Sequence, residues 1–472
     1  MTLRLAGLGL DHSRSRRRDA GLAAGCRAVV AACALLVGCG GHEARTLKMR
    51  TALDEGAPRA AIAALNEELD VKSDDELPKD LEGDNALLVL DRASIQQSLA
   101  QFVASSRDFE AADKAIDMLD LARNASDSIG QYVFSDAAGR YKAPPYEKLL
   151  VNTLNMINYL ERDDLNGARN EARRLAVMQR YVAEQLHEKD NAILGLGGLL
   201  AGFTYEKSGE ADEALRYYDE ALAFSGYRAL RDPVRALARV SSYKSPRIAS
   251  LDGPDPLPEP LERSNEGEIV LVVGYGRVPH KVSNRVPIGL ALTLFANDIE
   301  PSNAAAANKL AAQGLVTWVN FPTLARGQGA YEIPSCKVDG GYVQLEEAVD
   351  VSAQVRAEWR KIEGKIVASA ISRMVVRLAA GVGIQAATQD NKSTAVQVIG
   401  LLASLGTQGA LAALDTPDTR SWETLPARVA VTRVRVPAGR HQLRLEARGV
   451  SRTQAIDVPK GGWKLVSLMA LR

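Results

Sequence analysis

From Leu47 to about Arg247 apolar residues recur at three- and four-residue spacing, and Gly, Asp or Ser breaks the pattern where helices should end. That period gives each segment one apolar stripe and predicts a series of amphipathic helices. The pattern then changes. Residues 252–260 carry Pro254, Pro256, Pro258 and Pro260, and a chain so restricted in φ and short of amide donors forms a stiff linker. Beyond it, the run Ile269-Val270-Leu271-Val272-Val273 reads as a strand buried on both faces. Further strands are expected at 314–321, 341–345, 428–436, 441–446, 453–458 and 463–469, with Pro437, Ala438 and Gly439 turning one into the next. A long amphipathic helix is expected from Val351 to about Ala380. The fold class is therefore α+β: an α-helical, tetratricopeptide-like superhelix followed by a mixed β-rich domain. The expected division is a leader at 1–38, helical repeats at 39–250, a linker at 251–265 and a mixed α/β domain ending in β-hairpins at 266–472.

The clearest helical unit covers 202–221. Gly202, Tyr205, Gly209, Ala214, Tyr218 and Ala221 follow one another at intervals of 3, 4, 5, 4 and 3 residues, which looks like a tetratricopeptide hairpin. Gly202 and Ala214 let two helices approach, Gly209 takes the turn, and Tyr205, Tyr218 and Ala221 fill the groove between neighbouring hairpins. Weaker copies of the turn and its following alanine place equivalent positions at Ala61, Ala112 and Ala168. The intervals of 51, 56 and 46 residues along this series exceed the usual repeat of about 34 and predict longer or more elaborate helices. The glycine-dense stretch 194–202 lacks dinucleotide-binding spacing and follows no strand, so close helix packing explains it better than phosphate binding.

The N-terminus carries a different signal. Arg14, Arg16, Arg17, Arg18 and Arg27 precede an uncharged run at 28–37, which closes in Leu36-Val37-Gly38-Cys39. A basic start, a short apolar run and small residues define an export leader, and the run is shorter than the ~20 residues that span a bilayer. Its ending resembles the lipobox of bacterial lipoproteins. The resemblance implies cleavage before Cys39, diacylglycerol on its thiol and a membrane anchor, and no cofactor is expected besides this covalent lipid. Gly40 stands where an aspartate commonly retains lipoproteins in the inner membrane, so the expected location is the outer membrane with the body in the periplasm. The chain has 58 basic and 58 acidic residues; removing the six arginines and two aspartates of 1–38 leaves 52 basic and 56 acidic. Such a balance disfavours nucleic acid as a partner. Beyond the leader only Cys39 and Cys336 remain, so no intrachain disulfide is expected. Lys337 could lower the thiol pKa of Cys336, or Cys336 is a half-buried structural residue.

Candidate chemistry lies in three short motifs. At 141–148, Pro144 and Pro145 force an extended corner, and Tyr146 and Glu147 lead into a helix bearing Asn152, Asn155 and Asn158. Tyr146, Glu147, Glu171 and Arg174 either share a ligand-binding face or simply start a helix and pair on its surface. At 276–281, Pro279 fixes the chain beyond a strand and Lys281 places a cation at its exit. At 418–427, Asp418 can cap a turn, while Arg420 and Trp422 either lock the last hairpins or form a patch for a protein partner or an anionic envelope polymer. The nearly uncharged stretch 395–414 reads as Ala/Gly-rich packing or as a segment inserting at a membrane interface. Taken with the lipobox and the helical half, the three motifs resemble a family of bacterial envelope lipoproteins with a degenerate tetratricopeptide-like N-terminal half. Members of that family are often encoded near other small envelope lipoproteins, including ones similar to curli secretion channels and to activators of penicillin-binding proteins. The resemblance implies an envelope role and transfers no active site.

Catalytic motifs are sparse. Ser241-Ser242-Tyr243-Lys244 matches S-x-x-K, but its K-T-G and S-D-N companions are missing. No G-x-S-x-G, H-E-x-x-H or P-loop pattern occurs, and His42, His187, His280 and His441 are scattered, which disfavours a local metal site. The expected function is that of a lipid-anchored, non-catalytic scaffold or assembly factor, its helical repeats offering a concave surface to envelope proteins. The candidate contact residues are Tyr146, Glu147, Lys281, Arg420 and Trp422. The alternative is an enzyme acting on peptidoglycan or another envelope polymer through carboxylates distant in sequence.

Overall fold

The computed structural model describes residues 41–81, 84–118, 141–185, 191–261, 263–312, 318–329, 332–389 and 417–472. The leader, Cys39 and the uncharged stretch 395–414 lie outside the described residues. The first part is helical: α1 (His42–Asp54), α2 (Pro58–Glu68), α3 (Asn85–Ser98), α4 (Phe102–Ala115), α5 (Pro145–Glu161), α6 (Leu165–Gln185), α7 (Ile193–Lys207), α8 (Ala211–Leu222), α9 (Arg231–Ala238) and α10 (Pro246–Ser250). Two short strands, β1 (Asp117–Met118) and β2 (Lys142–Ala143), pair in parallel between α4 and α5.

Successive helices form hairpins closed by one kind of turn. Gly56 (φ 75°), Ala100 (φ 57°), Asp163 (φ 57°) and Gly209 (φ 78°) are each left-handed. The amide of each bonds back three residues, and the amide after it bonds back five, to the carbonyls of Ala52, Gln96, Tyr159 and Tyr205. This double bond caps a helix in the Schellman manner. Five residues past each left-handed residue a small side chain is fully buried: Ala61, Ser105, Ala168 and Ala214. The second position corrects the sequence expectation, because Ala112 lies inside α4 and the turn falls at Ala100. Ala100 gives no turn signal; a left-handed alanine costs roughly 1–2 kcal/mol, which the flanking helices must offset.

The second part is strand-rich. Sheet I, in the order β12-β3-β9-β8, joins β3 (Glu266–Tyr275), β8 (Glu346–Asp350), β9 (Arg428–Pro437) and β12 (Trp463–Ala470). Only its β12–β3 pair is parallel. Sheet II is antiparallel, in the order β11-β10-β6-β7, from β6 (Ser335–Val338), β7 (Gly341–Val343), β10 (Gly439–Ala447) and β11 (Val450–Val458).

Side chains alternate across a strand, and sheet I uses both faces. Ile269, Leu271 and Val273 join Val466 and Leu468 in a core shared with Leu443 and Leu445 of sheet II. Val270 and Val272 join Leu465 and Met469 in a second core with the helices. Sheet I is thus the middle of three layers. Helices α3 and α5 lie against β12, and α7 lies against β8. One hydrophobic cluster runs from Met49 to Leu471, so the helical and strand-rich parts share a core, and α+β describes the whole. The inner face of the helical stack, through α3, α5 and α7, packs on the chain's own sheet I.

A smaller lobe has its own core. The antiparallel hairpin of β4 (Lys281–Pro287) and β5 (Trp318–Leu324) packs with α11 (Ile288–Leu294), α12 (Pro301–Ala312) and α13 (Val351–Gln389) through Ile288, Ala291, Val319, Phe321, Val367 and Ile371. Sequence reasoning expected α13 and one strand here and missed β4, α11 and α12. Among the described residues no helix is long and apolar enough to cross a membrane.

Candidate functional site

The three motifs meet in space. Residues 417–427 run beneath the helical layer beside the end of β3 and the start of β9. The Val278 amide donates to the Leu425 carbonyl at 3.0 Å, and the Ala427 amide to that of Gly276 at 3.3 Å. Gly276 is left-handed (φ 68°), and a Cβ there would stand 2.2 Å from the Gln328 carbonyl oxygen, so the close approach requires glycine. The Lys281 amide donates to Ser421 Oγ at 3.2 Å.

Trp422 anchors this segment. Its ring is 1 % exposed and meets Phe109 of α4 edge-on at 5.8 Å. Its Nε1 donates to Ser94 Oγ of α3 at 3.1 Å and to Thr424 Oγ1 at 3.2 Å. Its amide donates to Glu147 Oε1 at 3.2 Å, and Tyr141 and Tyr146 also donate to that carboxylate, at 2.7 and 3.4 Å. Burial pushes the Glu147 carboxyl upward; the Tyr141 hydroxyl, the Trp422 amide and the charge of Lys281 act against it, and the balance stays raised. Arg420 is 5 % exposed, donates to both oxygens of Asp418 at 2.8 and 2.9 Å and lies over the Tyr141 ring at 5.8 Å.

The five candidate contact residues, Tyr146, Glu147, Lys281, Arg420 and Trp422, therefore converge, but four of them are enclosed. Lys281 alone is half-buried rather than buried. Of the two sequence readings of Arg420 and Trp422, the geometry is that of a lock, and neither side chain offers a surface patch. Glu171 and Arg174 do not join the cluster: Glu171 accepts from Asn152 at 3.0 Å and from Arg174 at 2.9 Å. Asn158 donates to Ser105 Oγ at 2.8 Å and accepts from Gln97 at 2.7 Å, so Asn158 knits α5 to α3 and α4.

Beside Trp422 lies a group that sequence reasoning missed. Asp91 Oδ1 on α3 accepts the amides of Glu423 and Thr424 at 3.1 and 3.0 Å and the Thr424 hydroxyl at 2.8 Å. Glu423 accepts from Thr46 at 3.1 Å and pairs with Arg50 at 2.7 Å, both on α1. His42 sits between Asp84 and Glu423, with Nδ1 3.8 Å from Asp84 Oδ2 and Nε2 4.0 Å from Glu423 Oε1. These are ion-pair separations, longer than hydrogen bonds. Neither ring nitrogen, nor Asp91 Oδ2, has a hydrogen-bond partner among the described residues. Burial drives Asp91 up to about 7, helped by the Glu423 charge and opposed by His42 and Thr424. Burial disfavours the charged form of His42, but the surrounding carboxylates outweigh it and raise its pKa.

A second ionic cluster joins α7 to sheet I. Arg433 donates to Glu206 at 2.8 and 3.0 Å and to Glu268 at 2.7 and 2.9 Å. Lys207 reaches Glu268 at 2.6 Å and Glu206 at 2.8 Å. Burial would raise both carboxyls, but Arg433 and Lys207 overcome it and hold them low. A third contact pairs Arg452 with Glu161 at 2.6 Å, where Ser467 also donates through its amide and hydroxyl.

The remaining candidates are structural. Ser241 Oγ donates to Asp212 Oδ1 at 2.5 Å, while the Lys244 ammonium donates to the carbonyls of Ala238 and Ser241 at 2.9 and 3.2 Å. The S-x-x-K spacing thus builds a turn, not an activated serine. Cys336 is fully buried, and burial pushes its thiol up to about 12, which removes the reactive-thiol expectation. Among the described residues no group of three His, Cys, Asp or Glu is placed to hold a metal ion. No protein-family model, no curated protein and no solved structure matches this chain.

Proposed function

We propose that the chain is a lipid-anchored cell-envelope protein that acts as a non-catalytic scaffold or assembly factor, held at the outer membrane through Cys39 and facing the periplasm. One observation carries the non-catalytic part of this reading. Four buried carboxylates whose pKa is shifted, Asp91, Glu147, Glu206 and Glu268, accept hydrogen bonds from the chain's own donors. Perturbed carboxylates of an active site face a cleft where substrate can reach them; Glu206 and Glu268 are spent on joining α7 to sheet I, and Asp91 and Glu147 on holding the segment 417–427 to the helices.

The four hairpins with one turn type, and the stacked Tyr205 and Tyr217 rings 5.3 Å apart, support the finer reading of the helical part as a degenerate tetratricopeptide-like superhelix. Because sheet I covers its inner face, a partner surface falls to the outer helices, where Val103 on α4 and Val177 on α6 are 67 % and 68 % exposed. Photocrosslinking residues at Val103 and Val177 test this in cells. Discrete adducts that disappear on Cys39→Ser are expected; smears indistinguishable from those of a buried control position would contradict the scaffold role.

A further inference from the structure

The lipid anchor just proposed has no slack. Gly41 is followed at once by α1, whose His42 is 2 % exposed, and Cys39 stands two residues before Gly41. Two residues span at most about 7 Å. An acylated Cys39 therefore brings the surface around Gly41 to the bilayer. That surface is a shallow concavity of ≈ 240 Å³, whose wall includes Gly41, Leu47, Arg50, Ser283 and Pro417. It is smaller than the roughly 300–1,000 Å³ that takes a drug-sized ligand.

Two further segments reach the same rim. Pro417 follows the uncharged stretch 395–414 in the sequence, and Ser283 of β4 donates its amide to Glu43 of α1 at 2.8 Å. Strand β4 leads directly to α11, where Leu290 and Leu294 are exposed, as is Trp318 on the paired strand β5. On the rim itself Leu47 is 56 % exposed. Exposed leucine and tryptophan side chains are the ones that lower their free energy at a headgroup boundary.

Resting on the lipid-anchor reading, we propose that the face carrying Gly41, Leu47, Ser283 and Pro417 is apposed to the membrane, and that its occupant is the phospholipid headgroup layer around acylated Cys39. Val240, exposed beyond α9, is not part of that face and serves as the reference position.

Fluorophores on Leu47→Cys and Val240→Cys read this directly, since buried Cys336 will not take the label. The acylated protein is placed in phosphatidylethanolamine/phosphatidylglycerol vesicles carrying a headgroup-level quencher, and the N-terminal peptide is weighed by mass spectrometry. Several-fold stronger quenching at position 47 than at 240 is expected. Equal quenching at both positions in protein whose Cys39 is acylated overturns the orientation while leaving the anchor standing. An unacylated N-terminal peptide in vesicle-bound protein overturns the anchor, and this inference with it.

Discussion

Replacing Asp91 by Asn should flatten the dependence of stability on pH. The folded chain holds Asp91 near 7 against an ordinary 3.8. Between those values the folded state keeps a proton that the unfolded state has lost, so stability is full below 3.8 and declines as pH rises through 7. A carboxyl moved that far corresponds to about 4 kcal/mol in total, of which about 3 kcal/mol falls between pH 5 and pH 8. His42 is also raised, so its contribution has the same sign and is lost as pH rises above 6.5. Glu206, Glu268 and Asp84 are lowered; their contributions are lost only on acidification below their ordinary values and do not enter this window. Glu147 is raised and acts in the same direction, which is why the variant must be compared with the parent. The carboxamide of the Asp91→Asn variant would keep an oxygen to accept the Glu423 and Thr424 amides and would carry no charge. Urea unfolding at pH 5, 6, 7 and 8, followed by tryptophan fluorescence, should show the parent losing about 3 kcal/mol more than Asp91→Asn across the range. Parallel pH profiles would refute the argument, as would a parent that grows more stable toward pH 8.

The other substitutions address the remaining contacts. Trp422→Ala should lower stability by about 3–5 kcal/mol through the cavity it leaves, whereas Arg420→Lys should lower it by a smaller amount through loss of the paired donors to Asp418; both are read from denaturation midpoints. Arg433→Ala leaves Lys207 alone against the two buried carboxylates Glu206 and Glu268 and should cost about 3–5 kcal/mol at neutral pH, and a neutral result there would show that solvent reaches the cluster. Ala100→Gly removes left-handed strain from the second hairpin turn and should raise stability by roughly 1 kcal/mol, visible as a higher melting midpoint.

Much of the architecture was legible because hydrophobic period and backbone chemistry report it locally. The switch at the proline-rich linker, the two-faced strand through Ile269 to Val273 and the hairpin at Gly209 follow from side-chain spacing within one segment. Ala100 was not legible, since an alanine in a left-handed turn has no composition signal. Strand β4 was missed because Lys281, Ser283, Asn284 and Arg285 dominate it and Pro287 ends it. The site motifs could be picked out, and a lock was one of the two readings of Arg420 and Trp422. Asp91, which holds the same segment, lies 332 residues from its partner Glu423, and no local pattern pairs residues so far apart. The Arg433 cluster did leave a trace: Glu268 and Arg433 are charges on strands whose neighbours are apolar, which is how an ion pair between buried layers announces itself.

The central claim is that the helical and strand-rich parts are one body, joined by a shared core and by buried polar contacts. Native-state hydrogen exchange, resolved by peptide across a denaturant series, tests it most directly. The account predicts that the slowest amides of α5 and of β3 open with the same free energy and the same denaturant dependence. Protection that persists in α5 after β3 has exchanged would contradict it, because the helical stack would then stand as a separate unit with its inner face free.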